Sequence, residues 1–133
     1  MEIVRMYGPL VGRVLLALIF IKFGFGKITG FEGTVGYVQS VGLPVPQLAV
    51  VVAIIVELGG GIMLVIGWKA RWAAAALFIF TLLAGVFFHA FWSSPADQAM
   101  MQQIQFMKNL AIMGGMLYVI VYGSGPLSVD KNR

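Results

Sequence analysis

Four stretches of the chain stay apolar for about the 20 residues that a helix needs to cross a bilayer: residues 9–26, 47–67, 72–92 and 104–122. Few polar positions break them. Arg13 and Lys22 interrupt the first, Glu57 alone carries charge in the second, His89 lies near the end of the third, and the fourth opens on Gln105, Lys108 and Asn109. Trp68, Trp72, Trp92 and Tyr122 fall at segment ends, where amphipathic rings settle into the headgroup layer. The pattern predicts an all-α, integral membrane four-helix bundle, a single domain over residues 1–133.

The connections add detail. "WKAR" (68–71) is short enough to make the second and third helices antiparallel neighbours. The longer "KITGFEGTVGYVQSVGLPVP" (27–46) contains Phe31, Val35, Val38 and Val41 at helical spacing, and Gly42, Pro44 and Pro46 supply a stop. A short interfacial helix between helices 1 and 2 is expected there, placed like a lid over the bundle. "SSPADQAMMQQ" (93–103) is expected to be a polar connection on the same side. The first span is expected to be retained rather than cleaved as a signal peptide, since it is long, carries Lys22 and is not followed by a small-x-small site.

Four crossings bring both termini and the 68–71 turn to one side. That side holds Arg5, Lys69, Arg71, Lys131 and Arg133, with Arg13 close beneath; the other holds Lys27 and Lys108. The positive-inside bias therefore predicts cytoplasmic termini. Composition agrees with a lipid environment: 60% of residues are hydrophobic and 11% charged, against roughly 45–50% apolar in an ordinary soluble domain. The net charge of +4 forms no basic run, which argues against a nucleic-acid partner. No cysteine is present, which excludes disulfides and thiolate-ligated metal, and a lone histidine makes no convincing metal site.

Depth then groups the polar residues. At ~1.5 Å per residue, Glu57 lies ~15 Å below the outer end of its helix, with Lys22, His89 and Asn109 at ~5–8 Å in theirs. Because Cα–Cβ bonds tilt toward a helix's own N-terminus, Lys22 and His89 lean inward while Glu57 and Asn109 lean outward, so the four converge on one level if they share an interior face. Each also has a purely structural reading. Glu57 is neutralised by Lys22 or Lys27, or protonated; His89 satisfies a carbonyl; Asn109 bonds between helices; Lys22 snorkels; Arg13, Lys27 and Lys108 are interfacial anchors. Gly59, Gly60 and Gly61, the alanines from Ala73 to Ala76, and Ala111 with Gly115 are expected to let helices close tightly.

An apolar cavity rimmed by a carboxylate, an imidazole, an amide and ammonium groups suits a small carbonyl-bearing amphiphile such as a quinone. Glu57 and His89 are the candidates for proton exchange, and Lys27, Asn109 and Lys22 for ligand binding.

The segments "GRVLLALIFIKFGFGKITGFEG" (12–33), "VGLPVP" (41–46), "VELGGGIMLVIGWKAR" (56–71), "FFHAFW" (87–92) and "FMKNLAIMGGML" (106–117) together resemble the DoxX family of small four-helix inner-membrane proteins. The resemblance implies a bacterial inner-membrane protein with links to redox chemistry, since the name-giving relatives are subunits of a membrane thiosulfate:quinone oxidoreductase. It carries over Arg13, Lys27, Glu57, His89 and Asn109 as the polar positions. Lys22 departs from the family pattern, where an apolar residue is usual. The leading expectation is a quinone-interacting or accessory subunit of a membrane redox system, partnered by the bilayer and by membrane or periplasmic redox subunits. A homo-oligomer is compatible with the same pattern. The alternatives are a non-enzymatic assembly partner of other membrane subunits and a small proton-coupled transporter. Polar residues confined to the outer half argue against the transporter.

Overall fold

The computed structural model describes residues 1–130. Lys131 and Arg133, which enter the charge count above, lie outside the described residues. Helix α1 spans Glu2–Thr29, α2 Phe31–Val41, α3 Pro46–Ile66, α4 Ala70–Phe88 and α5 Ala96–Tyr122. Four of them, α1, α3, α4 and α5, are long and apolar enough to cross a membrane, and α2 is the short helix between the first two spans. The bundle packs α1 on α3, α3 on α4 and α4 on α5, with sparser contact between α1 and α5.

Two spans are longer than hydrophobicity alone predicts. Helix α1 starts at Glu2 and runs through Pro9, whose ring meets the chain near Gly125. Helix α5 starts at Ala96, so most of the expected polar connection 93–103 is helical. That extension places Gln102 on a helix face rather than in a loop. A single-turn 3-10 helix, Phe91–Ser93, bridges the gap after α4, and Phe91, Trp92 and Phe106 pack edge to face with centroids 5.3–5.6 Å apart.

Helix α3 is not uniform. Between Pro46–Ile54 and Gly60–Ile66 lies a π-helical turn, Ile55–Gly59, with Glu57 at its centre. Such a turn admits one extra residue, rotates the face that follows, and is frequent at functional sites.

The apolar core occupies the half of the bundle nearest the termini. Ala17, Phe20, Leu64, Ala70, Ala73, Ala74, Leu77, Met116 and Val119 are its buried members. The small residues do part of what the sequence suggests. A Cβ on Gly60 would meet Leu77 at 3.0 Å, one on Gly61 would overlap Ile21, and one on Gly115 would overlap Leu16. Gly59 is a correction: it is exposed, with nothing within 4 Å of where its Cβ would sit, because the π-turn directs it outward.

Arg13 closes this end. Only 2% exposed, it donates from Nη1 to Leu64 O at 2.9 Å and Val65 O at 3.0 Å, and from Nη2 to Leu127 O at 2.8 Å, with a longer 3.5 Å approach to Pro126 O. It is thus no interfacial anchor. It adds donors at the C-terminal end of α3, where Leu64 O also accepts from Gly67 N–H at 3.2 Å. Gly67, at φ +71°, ends α3, and a Cβ there would collide with Ser128 and with Arg13 Nη1.

The segment after α5 folds back against the same turn. Val129 N–H donates to Ile66 O and Asp130 N–H to Gly67 O. The Asp130 carboxylate accepts from Lys69 N–H at 2.8 Å, Ala70 N–H at 2.9 Å and Ser124 Oγ at 2.8 Å. A side chain 60 residues away therefore caps the N-terminus of α4, where a negative charge is favourable.

Arg13→Leu removes the side-chain donor to Val65 O and Leu127 O and one of the two donors to Leu64 O. The expected loss of stability is about 3 kcal/mol or more, at about 1–3 kcal/mol per orphaned group. Thermal unfolding in detergent checks this. Arg13→Lys is expected to recover only part of the loss, since one ammonium cannot fork between α3 and the C-terminal segment.

Candidate functional site

The opposite half of the bundle is open. A cavity of about 1340 Å³ lies there, walled by the end of α1, by α2, by the start of α3, by the end of α4 and by the start of α5. Its wall is largely apolar, with Phe20, Phe23, Leu48, Phe80, Phe87 and Phe88 among its members. Into it project Lys27, Glu57, Thr81, His89, Gln102, Gln105, Lys108 and Asn109. Helix α2 covers one side, held partly by stacking of Tyr37 on Phe88, centroids 5.3 Å apart.

Glu57 is 3% exposed, and its Oε1 lies 2.7 Å from Lys27 Nζ, which is 25% exposed. The contact is a close ammonium–carboxylate ion pair, and no other donor reaches Oε1. Gly24 makes the pair reachable. A Cβ there would sit 3.0 Å from Glu57 Cβ and from Leu58 Cγ, so only glycine lets α1 and the π-turn approach this closely. Lys27 follows Gly24 by three residues and shares its face.

Lys22 is the principal correction among the sequence-derived site residues. It precedes Gly24 by two residues, about 200° around the helix. Its side chain is exposed on the outside of the bundle, with Nζ 6.0 Å from the Phe23 ring centroid, and it neither lines the cavity nor pairs with Glu57.

His89 closes α4 and its Nδ1–H donates to Gln102 Oε1 at 2.8 Å, which leaves Nε2 as the ring's acceptor. Asn109 is buried and donates from Nδ2 to Thr81 O at 3.2 Å, tying α5 to α4. The Thr81 hydroxyl bonds back to Leu77 O. Lys108 is not at the rim: it lines the cavity and donates to Gln105 Oε1 at 2.8 Å. The structure therefore brings Lys27, Glu57, His89 and Asn109 to one cavity and leaves Lys22 out. Gln102, Gln105 and Thr81 are added by the structure. Gln102 was hidden because a polar stretch near a span reads as a loop; Gln105, already at the start of the fourth span, lies three residues before Lys108, and that spacing was the available signal.

Comparison with known proteins follows this geometry. The DoxX family model matches residues 8–90. The Escherichia coli (strain K12) inner membrane protein YphA is 38% identical over 122 residues, 92% of this chain and 87% of the relative. Inner membrane protein YqjF of the same organism is 39% identical over 124 residues, 93% of this chain and 90% of the relative. A Bacillus subtilis (strain 168) protein, CatD, is named provisionally as an oxidoreductase; it is 37% identical over 79 residues, 59% of this chain and 57% of the relative. No solved structure matches the chain.

The ion pair makes a directional prediction. Lys27→Met strands a buried carboxylate and is expected to destabilise the protein by about 3 kcal/mol, the lower end for a broken buried pair. Glu57→Gln is expected to be milder, because Lys27 retains partial exposure. The double variant should be more stable than Lys27→Met alone, a non-additivity that thermal unfolding of the four proteins measures.

Proposed function

The chain belongs to the DoxX family, and we propose that it binds a quinone in the cavity between α1, α3, α4 and α5 as a quinone-interacting or accessory subunit of a membrane redox system. The observation that carries this reading is the cavity itself: an apolar chamber in a membrane-spanning bundle, with its polar groups gathered on facing helices. Quinones are flat, apolar and carry carbonyl acceptors, and such a wall matches them. The provisional oxidoreductase naming of CatD supports the redox setting.

Within this reading the ammonium groups of Lys27 and Lys108 donate to ligand carbonyls. Asn109 contributes mainly by fixing α5 against α4, since its amide already holds Thr81 O. His89 is pre-set by Gln102 so that Nε2 accepts a proton from, or returns one to, the ligand oxygen. Glu57 is the second proton-exchanging group, released from Lys27 as the ligand's charge changes. Electrons come from a partner redox subunit. Reduction takes up two of them with two protons, and oxidation reverses both.

The placement follows from the same reading. The protein sits in the inner membrane, as its named relatives do, with both termini cytoplasmic and the cavity toward the outer face. Gly60, Gly61 and Gly115 are spent on contacts within the bundle, which removes them as a face for another subunit.

Two measurements test this. Purified protein in lipid nanodiscs is expected to bind decylubiquinone, with affinity about tenfold weaker in His89→Ala, the scale of one lost hydrogen bond to a charged or strongly polar group, and unchanged in Gly59→Ala. Absence of binding, or equal binding by His89→Ala, overturns the assignment. Because the chain has no cysteine, single cysteines report topology directly. A membrane-impermeant maleimide should label Gln98→Cys in spheroplasts and leave Arg5→Cys unlabelled.

A further inference from the structure

Charge does not balance inside the cavity. Two ammonium groups, Lys27 and Lys108, line it with one carboxylate, Glu57. The chain's other acidic residues, Glu2, Glu32, Asp97 and Asp130, lie outside the lining. Glu57 is committed to Lys27 at 2.7 Å, and among the described residues no carboxylate comes within 4.0 Å of Lys108. The Lys108 ammonium has a single acceptor, the neutral amide oxygen of Gln105 one turn back on its own helix. An ammonium has three N–H donors, so two remain for something else.

A lone charge in a membrane-spanning segment is expensive and normally pairs with an opposite charge. Lys108 is half-buried, lies twelve residues into α5, and leans toward its own helix N-terminus, the open end of the cavity. The remaining wall is apolar, and about 1340 Å³ exceeds the roughly 300–1000 Å³ typical of sites for compact ligands, which leaves room for a chain as well as a head.

We infer that the cavity takes a single-chain amphiphile with an anionic head, its head on Lys108 and Gln105 and its tail along the apolar wall formed by α1, α3 and α4. This rests on reading the cavity as a ligand site and adds the charge class of what fills it. Two sources have that chemistry, an acidic hydroxyquinone and a long-chain carboxylate. A neutral quinone would leave the ammonium uncompensated.

The test uses two matched pairs of probes with the protein in nanodiscs of uncharged lipid: a 3-alkyl-2-hydroxy-1,4-naphthoquinone against its 2-methoxy ether, and dodecanoate against its methyl ester. For at least one pair the anionic member is expected to bind tighter by about tenfold or more, the scale of one charge-assisted hydrogen bond. Lys108→Gln should abolish that preference, and Lys108→Arg, which keeps the charge, should retain it. Folding of each variant is checked by thermal unfolding.

Equal binding of anionic and neutral members, or a preference that survives Lys108→Gln, overturns the inference while leaving the quinone reading intact. Binding of dodecanoate alone, with the expected dependence on Lys108, supports the inference and removes the quinone reading. Failure of all four probes overturns both.

Discussion

A guanidinium sealed inside one end of the bundle determines how the rest is arranged. Hydrocarbon offers no water to the last carbonyls of a helix, so α3 can stop inside the protein only if something supplies donors. Arg13 does so from the neighbouring helix, reaching Leu64 O and Val65 O with one nitrogen and Leu127 O with the other. Because the fork spans three pieces of chain, it fixes the depth of α1 against α3 and the path of the segment after α5. Asp130 then reaches the first turn of α4, and Ser124 donates both to Asp130 and to Gly67 O. One buried cation thus organises the ends of four spans.

That closure decides where a cavity can be. Alanines and Leu64, Leu77 and Met116 bring the helices together at the clamped end, so the bundle is tight there and splays at the other. The splayed half is bridged where α1 meets the π-turn of α3. Gly24 permits the close approach, and the ion pair of Lys27 with Glu57 fastens it. Helix α2 covers the gap that remains, and its position over the cavity follows from the short tether at Gly30 and the turn at Gly42.

Much of this was legible in the sequence. The spans, the interfacial helix and the tight turn after Gly67 follow from hydrophobic runs, spacing and breakers, all of which are local properties. Grouping Glu57, His89 and Asn109 needed only depth and side-chain tilt. The partner of Glu57 was not legible, because a shift of one residue in α1 register turns a lysine from the cavity to the lipid. Lys22 and Lys27 are equally apt chemically, and only the contact at Gly24 decides between them. The π-turn leaves no signature in "IIVELGG", and Asp130 as a cap for α4 is a contact across 60 residues that no local pattern encodes. The start of α5 was misjudged for another reason. A polar residue there reads as loop when its partner lies on another element, as Gln102 does with His89 at the end of α4.

The polar side chains divide by how much of their hydrogen-bonding capacity the protein itself consumes. Arg13 spends both terminal nitrogens on carbonyls, Thr81 turns its hydroxyl onto Leu77 O, and Asn109 holds Thr81 O. Apart from Arg13 Nε, these groups are used up where they sit, as stable burial requires. At the cavity the accounting differs. Lys108 has one acceptor for three donors, Glu57 is held by Lys27 alone, and His89 is tied through Nδ1 with Nε2 left over. Lys108 and His89 keep unused capacity on two different helices beside one apolar chamber, and a group left unsatisfied in an apolar setting carries a cost. On the proposed reading of the cavity as a ligand site, a molecule from the membrane supplies those partners.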